Sequence, residues 1–267
     1  MTKKNLNPVA AIQSLISGGL LRYYRVDFMS RQLASRCLIK KKLLMTPTVF
    51  SIIGLILFVI FGFSGSLAAE EPPIHETVRK LQQLYEKTRD FRATFVQETT
   101  VKSIGKTEVE EGMVYFKNPR QMFWDYKKPK AKKLVVNARK AWLYLPHEKA
   151  VYTQDPEKIF KSEALIKFLS GLGKLKEDFT IQYNPSGATD ENGNYLLLLY
   201  PREKGASYQY LQMTVDKNNF HILRVSFDDM MGNSTVLKFS GIKMNRGLSS
   251  GLFQFQPPSG VSIFKMP

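Results

Sequence analysis

The chain has 267 residues, 43% of them apolar, with 18 Phe, 12 Tyr and a formal net charge of +16. That apolar content supports a packed core and excludes a disordered chain, and the length allows one or two domains. Its single cysteine, Cys37, precedes any stretch that reads as a folded domain, so neither a disulfide nor a thiolate metal site is expected in that domain.

The N-terminal segment reads as a separate object. Lys40, Lys41 and Lys42 form a positive cluster, Val49 to Phe63 carries no charge, and Ser66-Leu67-Ala68 is a small-x-small pattern. Positive, apolar, small is the order of a secretory signal peptide. Cleavage is expected after Ala68, with Ala69 as the alternative, which makes the working protein periplasmic. An uncleaved anchor is the competing reading, but the apolar run is short against the roughly 20 residues that a span needs. The expected organisation is therefore 1–68 as N-terminal extension and signal peptide and 69–267 as one domain. Met29 offers an internal start that keeps Arg31, Arg36 and the lysines. From Ala69 onward 30 basic residues face 22 acidic ones, a net +8, so acidic partners or anionic lipid surfaces suit this chain.

Pro72-Pro73 opens the domain. Ile74, Val78, Leu81, Leu84 and Tyr85 recur at helical spacing, which predicts a helix ending near Thr88 to Asp90. Alternation with period two then predicts strands at Phe91–Phe95, Gly112–Lys117, Met122–Tyr126, Lys133–Asn137, Ala141–Leu145 and Ala150–Thr153. Met122, Trp124 and Tyr126 share one face. The connections are short and polar, which suits hairpins in a meander rather than parallel crossovers. Asp155 as N-cap and Pro156 at the first position predict a helix with Ile159, Phe160, Ala164, Leu165, Phe168 and Leu169 on a broad apolar arc, ended by Gly171. Gly171 and Gly173 predict a mobile exit. Strands resume at Phe179–Tyr183, Tyr195–Tyr200, Tyr208–Val215, Phe220–Phe227 and Thr235–Ile242, with a weaker signal at Leu252–Phe255. The fold class is α+β: ten or more antiparallel strands twist and curl, which leaves a concave face that the inserted helix can cover.

No catalytic constellation emerges. His75, His147 and His221 have no carboxylate at ligand spacing. Gly247-Leu248-Ser249-Ser250-Gly251 matches a nucleophile elbow but has no histidine after it. Gly171-Leu172-Gly173-Lys174 ends a helix instead of opening one, and Leu175 stands where a phosphate loop needs Ser or Thr. The chain is expected to be no enzyme and to need no cofactor or metal. A basic run does stand out. Lys117, Arg120, Lys127, Lys128, Lys130, Lys132, Lys133, Arg139 and Lys140 face only Asp125 within Lys117–Lys140. Either it is a solvated face, or Lys127, Lys128, Lys130, Lys132 and Lys133 form a docking patch for an acidic partner or membrane surface. Nucleic acid is not an expected partner of an exported protein.

Several motifs keep a common spacing: Phe91-Arg-Ala-Thr-Phe-Val-Gln97, Gly112, Phe116-Lys-Asn-Pro-Arg-Gln-Met-Phe-Trp-Asp-Tyr126, Pro129, Lys133-Leu-Val-Val-Asn137 and Ala141-Trp-Leu-Tyr144. In these the chain resembles the periplasmic outer-membrane lipoprotein carrier family, LolA, over about Val78 to Pro257. The resemblance implies an incomplete antiparallel β-barrel closed by helices acting as a lid, with an apolar interior that takes the acyl chains of a lipoprotein. It implies monomeric traffic between an inner-membrane ABC transporter complex and an outer-membrane lipoprotein receptor. By motif position, Phe95, Met122, Trp124 and Tyr126 would line the cavity, and Ile159, Phe160, Leu165, Phe168 and Leu169 would form the lid. The family often has an arginine directly before the proline of the second motif, where it latches the lid. Asn118 holds that position here, and Arg120 is expected to point elsewhere. Two other readings compete with a lipoprotein carrier. One is a lipoprotein-sensing regulator, which would carry a further C-terminal domain where this chain ends at Pro267. The other is a carrier of another lipid.

Overall fold

Period-two alternation governs the chain from Asp90 onward and builds one sheet of twelve strands. The computed structural model describes residues 72–266 other than 163 and 170–172. Between 156 and 169 it describes only the side chains of Pro156–Ile159, Ile166, Phe168 and Leu169. The expected signal peptide, with its cleavage at Ala68 or Ala69, lies outside the described residues. No helix among them is long and apolar enough to cross a membrane.

Helix α1 spans Ile74–Lys87 and buries Thr77, Val78, Leu81 and Tyr85. Its exit is fixed by Thr88, whose hydroxyl donates to the Leu84 carbonyl at 2.7 Å. Six strands follow as a meander: β1 Asp90–Val101, β2 Lys106–Lys117, β3 Gln121–Lys128, β4 Lys132–Val136, β5 Ala141–Leu145 and β6 Ala150–Gln154. Three short helices come next, α2 Pro156–Ser162, α3 Ala164–Leu169 and α4 Leu175–Asp178. The remaining strands are β7 Phe179–Tyr183, β8 Tyr195–Pro201, β9 Leu211–Val215, β10 Ile222–Asp228, β11 Ser234–Met244 and β12 Ser262–Lys265. In space the order is β12-β6-β5-β4-β3-β2-β1-β11-β10-β9-β8-β7. Every neighbouring pair is antiparallel except β12 on β6. The edge strands β12 and β7 do not pair with each other, so the sheet curls without closing. Register shifts at Arg92/Thr94, Glu111/Gly112 and Ile222/Arg224 add local twist.

Strand boundaries expected from apolar alternation fall short where the alternation continues in polar residues. β1 and β2 run 12 residues each because Gln97, Thr99 and Glu110 keep the inward period without being apolar. The expected single helix over Asp155–Gly171 is two helices, although its start is as read: Asp155 Oδ1 accepts from the Glu157 N–H at 2.9 Å. Gly173 is buried, and a Cβ there would come within 2.9 Å of the Phe168 backbone. Its requirement is close packing, not the freedom expected of it. Leu252–Phe255 is no strand. Ser250–Phe253 forms a 3-10 turn that Ser249 caps, and Phe253 is buried against Phe123 and Val135 on the convex face. β12 gave no signal because all four of its residues are exposed.

The main core lies on the concave side, where inward residues of the strands meet α1 and the inserted helices in one cluster. Gly112 sets its tightest point. It pairs with Phe95 on β1 and Tyr126 on β3. A Cβ here would collide with the Asp125 carbonyl and approach Phe95 Cε1 to 2.9 Å. The missing side chain gives the Phe95 ring its seat. Gly112→Ala is therefore expected to cost about 1–3 kcal/mol through overpacking. The midpoint of urea unfolding measures it, and an unchanged midpoint would contradict this packing.

Candidate functional site

The concave face is an aromatic wall. Phe95, Met122, Trp124 and Tyr126, expected to line a cavity, do come together there, each at most 2% exposed. Phe95 stands edge-on between Trp124 and Tyr126, with ring centroids 4.9 Å from each. Phe91 stacks on Phe116 at 4.8 Å, and Phe239 reaches Trp124 from β11 at 6.4 Å. Such geometries add about 0.5–1.5 kcal/mol per pair beyond the burial itself. Phe116, Phe91 and Phe239 belong to this wall as fully as the expected four. Period two along β1, β2 and β11 was the signal that could have found them.

The inserted helices close over this wall. Ile159, Ile166, Phe168 and Leu169 are each at most 4% exposed, and the Phe168 ring lies 5.1 Å from Tyr85 on α1. Phe160 and Leu165, the other expected lid residues, have side chains outside the described set. Tyr85 anchors α1 to the sheet, its hydroxyl accepting from the Ile222 N–H at 3.1 Å, and burial raises its pKa so that it stays neutral. Between Tyr85, Phe91, Ala93, Leu169, Ile222, Phe239 and Ile242 a void of only about 10 Å³ remains. That is room for one water at most. Trp124 Nε1 is buried beside this packing with no hydrogen-bond partner among the described residues. A buried donor left unmade costs about 1–3 kcal/mol.

One end of the interior turns polar. Going along β1 the inward residues change from Phe91, Ala93 and Phe95 to Gln97 and Thr99. On β2 Glu110 follows Gly112, and on β11 Thr235 precedes Leu237. Tyr126 spans the boundary: its ring faces the wall and its hydroxyl donates to Gln97 Oε1 at 3.2 Å. Burial, and secondarily the Glu110 charge, holds the Tyr126 pKa well above its ordinary value. Lys132 completes the cluster, 2.7 Å from Glu110 and 4.2 Å above the Tyr126 ring.

The basic run therefore divides. Lys132 is 13% exposed within this cluster, which removes it from any open surface. Lys133 lies toward the Phe123 ring at 6.0 Å, on the convex side. Lys127 and Lys128 remain outward, paired with Asp125 and Glu111, and Lys130 is exposed. Counting charges along the segment missed Glu110 and Glu111, which the β2–β3–β4 pairing brings alongside.

Asn118 and Arg120 also differ from expectation. Asn118 Nδ2 donates to the Thr88 carbonyl at 2.6 Å and ties the β2–β3 turn to the end of α1. Arg120, expected to point elsewhere, instead donates to Glu157 in the first turn of α2. Its left-handed backbone, φ 63°, is part of the turn that aims it there. Gly247–Gly251 leads into the convex 3-10 turn, and among the described residues no group of three or more His, Cys, Asp or Glu is placed to hold a metal.

The family model "Outer membrane lipoprotein carrier protein LolA" matches residues 86–256. An outer-membrane lipoprotein carrier protein of Neisseria meningitidis serogroup B is 29% identical over 187 residues, 70% of this chain and 86% of that one. One from Coxiella burnetii is 26% identical over 220 residues, 82% of this chain and 99% of that one. Among solved structures, a LolA superfamily protein from Nitrosomonas europaea aligns at 14% identity with a TM-score of 0.40, covering 69% of this chain and 99% of that one.

The polar cluster gives a direct test. Lys132→Met leaves the Glu110 carboxylate buried without its partner and is expected to cost about 3 kcal/mol. Lys128→Met breaks an exposed pair and is expected to cost less than about 1 kcal/mol. Thermal unfolding of the two variants ranks them, and equal losses would contradict the burial of this ion pair.

Proposed function

Because the chain belongs to the outer-membrane lipoprotein carrier family LolA, we propose that it is a periplasmic chaperone that shields the acyl chains of lipoproteins released from the inner membrane and delivers them to an outer-membrane receptor. The observation that carries this reading is the pairing of a wide aromatic wall with a cover of two helices of 7 and 6 residues. Each methylene moved from water into such an interior is worth about 0.8 kcal/mol, so a cargo with several chains outweighs the contacts of a small lid. In the structure Ile166, Phe168 and Leu169 are buried in the same cluster as the wall, and loading exchanges them for acyl chains. An inner-membrane ABC transporter complex is the proposed donor. No covalent step is involved, and the wall presents adaptable apolar area with few fixed polar groups.

Two polar features shape the exchange in this proposal. The Arg120–Glu157 ion pair is the lid latch, displaced two residues from the family's usual position. With side chains 41% and 36% exposed it is worth under about 1 kcal/mol, which suits a lid that must open without an energy source. The unpaired Trp124 Nε1–H, in turn, is a donor for a carbonyl of the ester-linked or amide-linked chains.

Titration with a synthetic triacylated lipopeptide, followed by native mass spectrometry, tests the reading. A one-to-one complex is expected with the acylated peptide and none with the same peptide lacking its chains. Trp124→Phe keeps the aromatic bulk and is expected to weaken ester-linked binding about tenfold, the worth of one hydrogen bond, while ether-linked chains bind both forms alike. Arg120→Leu removes an interaction made only by the seated lid and is expected to tighten lipopeptide binding, and slow its release, up to about fivefold. Equal binding of acylated and deacylated peptide would overturn the proposal.

A further inference from the structure

Six large apolar side chains stand exposed among the described residues, and four lie at one end of the sheet: Val109 at 46% on β2 and, in the turns at its tip, Ile104 at 60%, Met230 at 72% and Met231 at 72%. Ile104 lies in the turn between β1 and β2, and the two methionines lie in the turn between β10 and β11. The turns touch. The Lys102 N–H donates to Asn233 Oδ1 at 3.1 Å, and the Lys102 stem lies against Gly232, whose φ of 78° shapes the second turn. Asp229 braces that turn from within, accepting from the N–H groups of Met231 and Asn233 and from Asn233 Nδ2. The turn's polar groups are thus used internally while its methionines point to water. A scattered exposed apolar residue is ordinary, but three on two adjoining turns are not.

This end also projects. β2 pairs with β1 along its whole length but with β3 only from Glu111 onward. Lys106–Glu110 therefore runs about 17 Å past the last β2–β3 pairing, at roughly 3.4 Å per residue. Lys102 and Lys106 are exposed at the tip with no ion pair among the described residues, and Lys127, Lys128 and Lys130 stand at its base. Acidic groups are present too, but Asp229 is engaged in its turn, and Asp125 and Glu111 pair with Lys127 and Lys128. Glu108 and Asp228 are the exposed carboxylates left near the tip.

We propose that this end is a bilayer-contact site: Ile104, Met230 and Met231 enter the boundary between headgroups and acyl chains of an anionic phospholipid membrane, and the lysines meet lipid phosphates. A convex tip offers neither a groove nor a flat face to a folded partner, whereas a fluid bilayer conforms to it. Insertion by 5–10 Å is the usual depth of such elements. At that depth Lys102 and Lys106 reach the phosphates with extended stems, and the basal lysines stay at the charged surface. The proposal rests on the carrier reading for its purpose, since cargo shielded in the aromatic interior starts and ends in a membrane.

Flotation of the purified protein with protein-free vesicles of phosphatidylethanolamine and phosphatidylglycerol, against phosphatidylcholine vesicles, tests it. Binding to the anionic vesicles is expected at low salt. The Ile104→Ser/Met230→Ser/Met231→Ser variant is expected to lose at least about tenfold in partitioning, with thermal stability and lipopeptide affinity unchanged. Lys127→Glu/Lys128→Glu/Lys130→Glu should weaken binding to the anionic vesicles alone, and only at low salt. Equal partitioning of the serine variant would overturn the proposal. So would wild-type protein that ignores protein-free vesicles but binds native membranes, which would assign the tip to a membrane-anchored protein. Parallel lipopeptide titration separates the two readings, because vesicle binding without lipopeptide binding would sink the carrier and leave the tip standing.

Discussion

The aromatic concave face has to be covered by something other than the sheet that carries it. Phe91, Phe95, Phe116, Trp124 and Phe239 all point to one side of a single layer. Twist curls that layer, but β7 and β12 do not meet, so curling alone does not bury the wall. The cover comes from α1 and from α2 and α3. The last two are too short to hold a helical shape on their own. They persist because Ile159, Ile166, Phe168 and Leu169 gain an apolar surface to lie on. On the proposed reading cover and cargo compete for the same wall, and each is stable only where the other is absent.

The polar cluster at the end of the wall limits where that competition takes place. Gln97 bonds the Tyr126 hydroxyl and Glu110 pairs with Lys132, and with the buried Thr99 they make this end polar. On the same reading, acyl chains gain nothing past Tyr126. Beyond this boundary the same strands continue as the projecting hairpins, so β1 and β2 serve as wall in one half and as an exposed extension in the other. The opposite end carries the β2–β3 turn, where Asn118 fastens α1 and Arg120 reaches α2. Lid attachment and projecting tip thus occupy opposite ends of the same two strands.

Much of this was legible in the residues. Met122-Phe-Trp-Asp-Tyr126 alternates so clearly that its inward face, and the outward Phe123 with its separate convex cluster, follow from period two alone. Asp155-Pro156 marked the lid's start for local chemical reasons. What stayed hidden depends on pairing. Lys132 looks like one more lysine of a basic run until β2 places Glu110 beside it. The Arg120 direction depends on a left-handed backbone that no side-chain pattern encodes. β12 is exposed on both faces and is held to β6 by backbone pairing and by the Phe264 ring stacked on Tyr152, so no buried-face periodicity could report it. The family resemblance pointed to residues that the structure buries together on the concave face and to the helices that cover them, but its latch position falls on Asn118, two residues from the arginine that reaches α2.

Amide hydrogen exchange on the empty and lipopeptide-loaded protein reaches the exchange of cover for cargo most directly. If acyl chains take the place of Ile166, Phe168 and Leu169, residues 156–169 will lose protection on loading while the β1–β3 ladder keeps or gains it. Protection of 156–169 that holds or rises on loading would mean that the lid stays seated, and cargo would have to bind somewhere other than the aromatic wall.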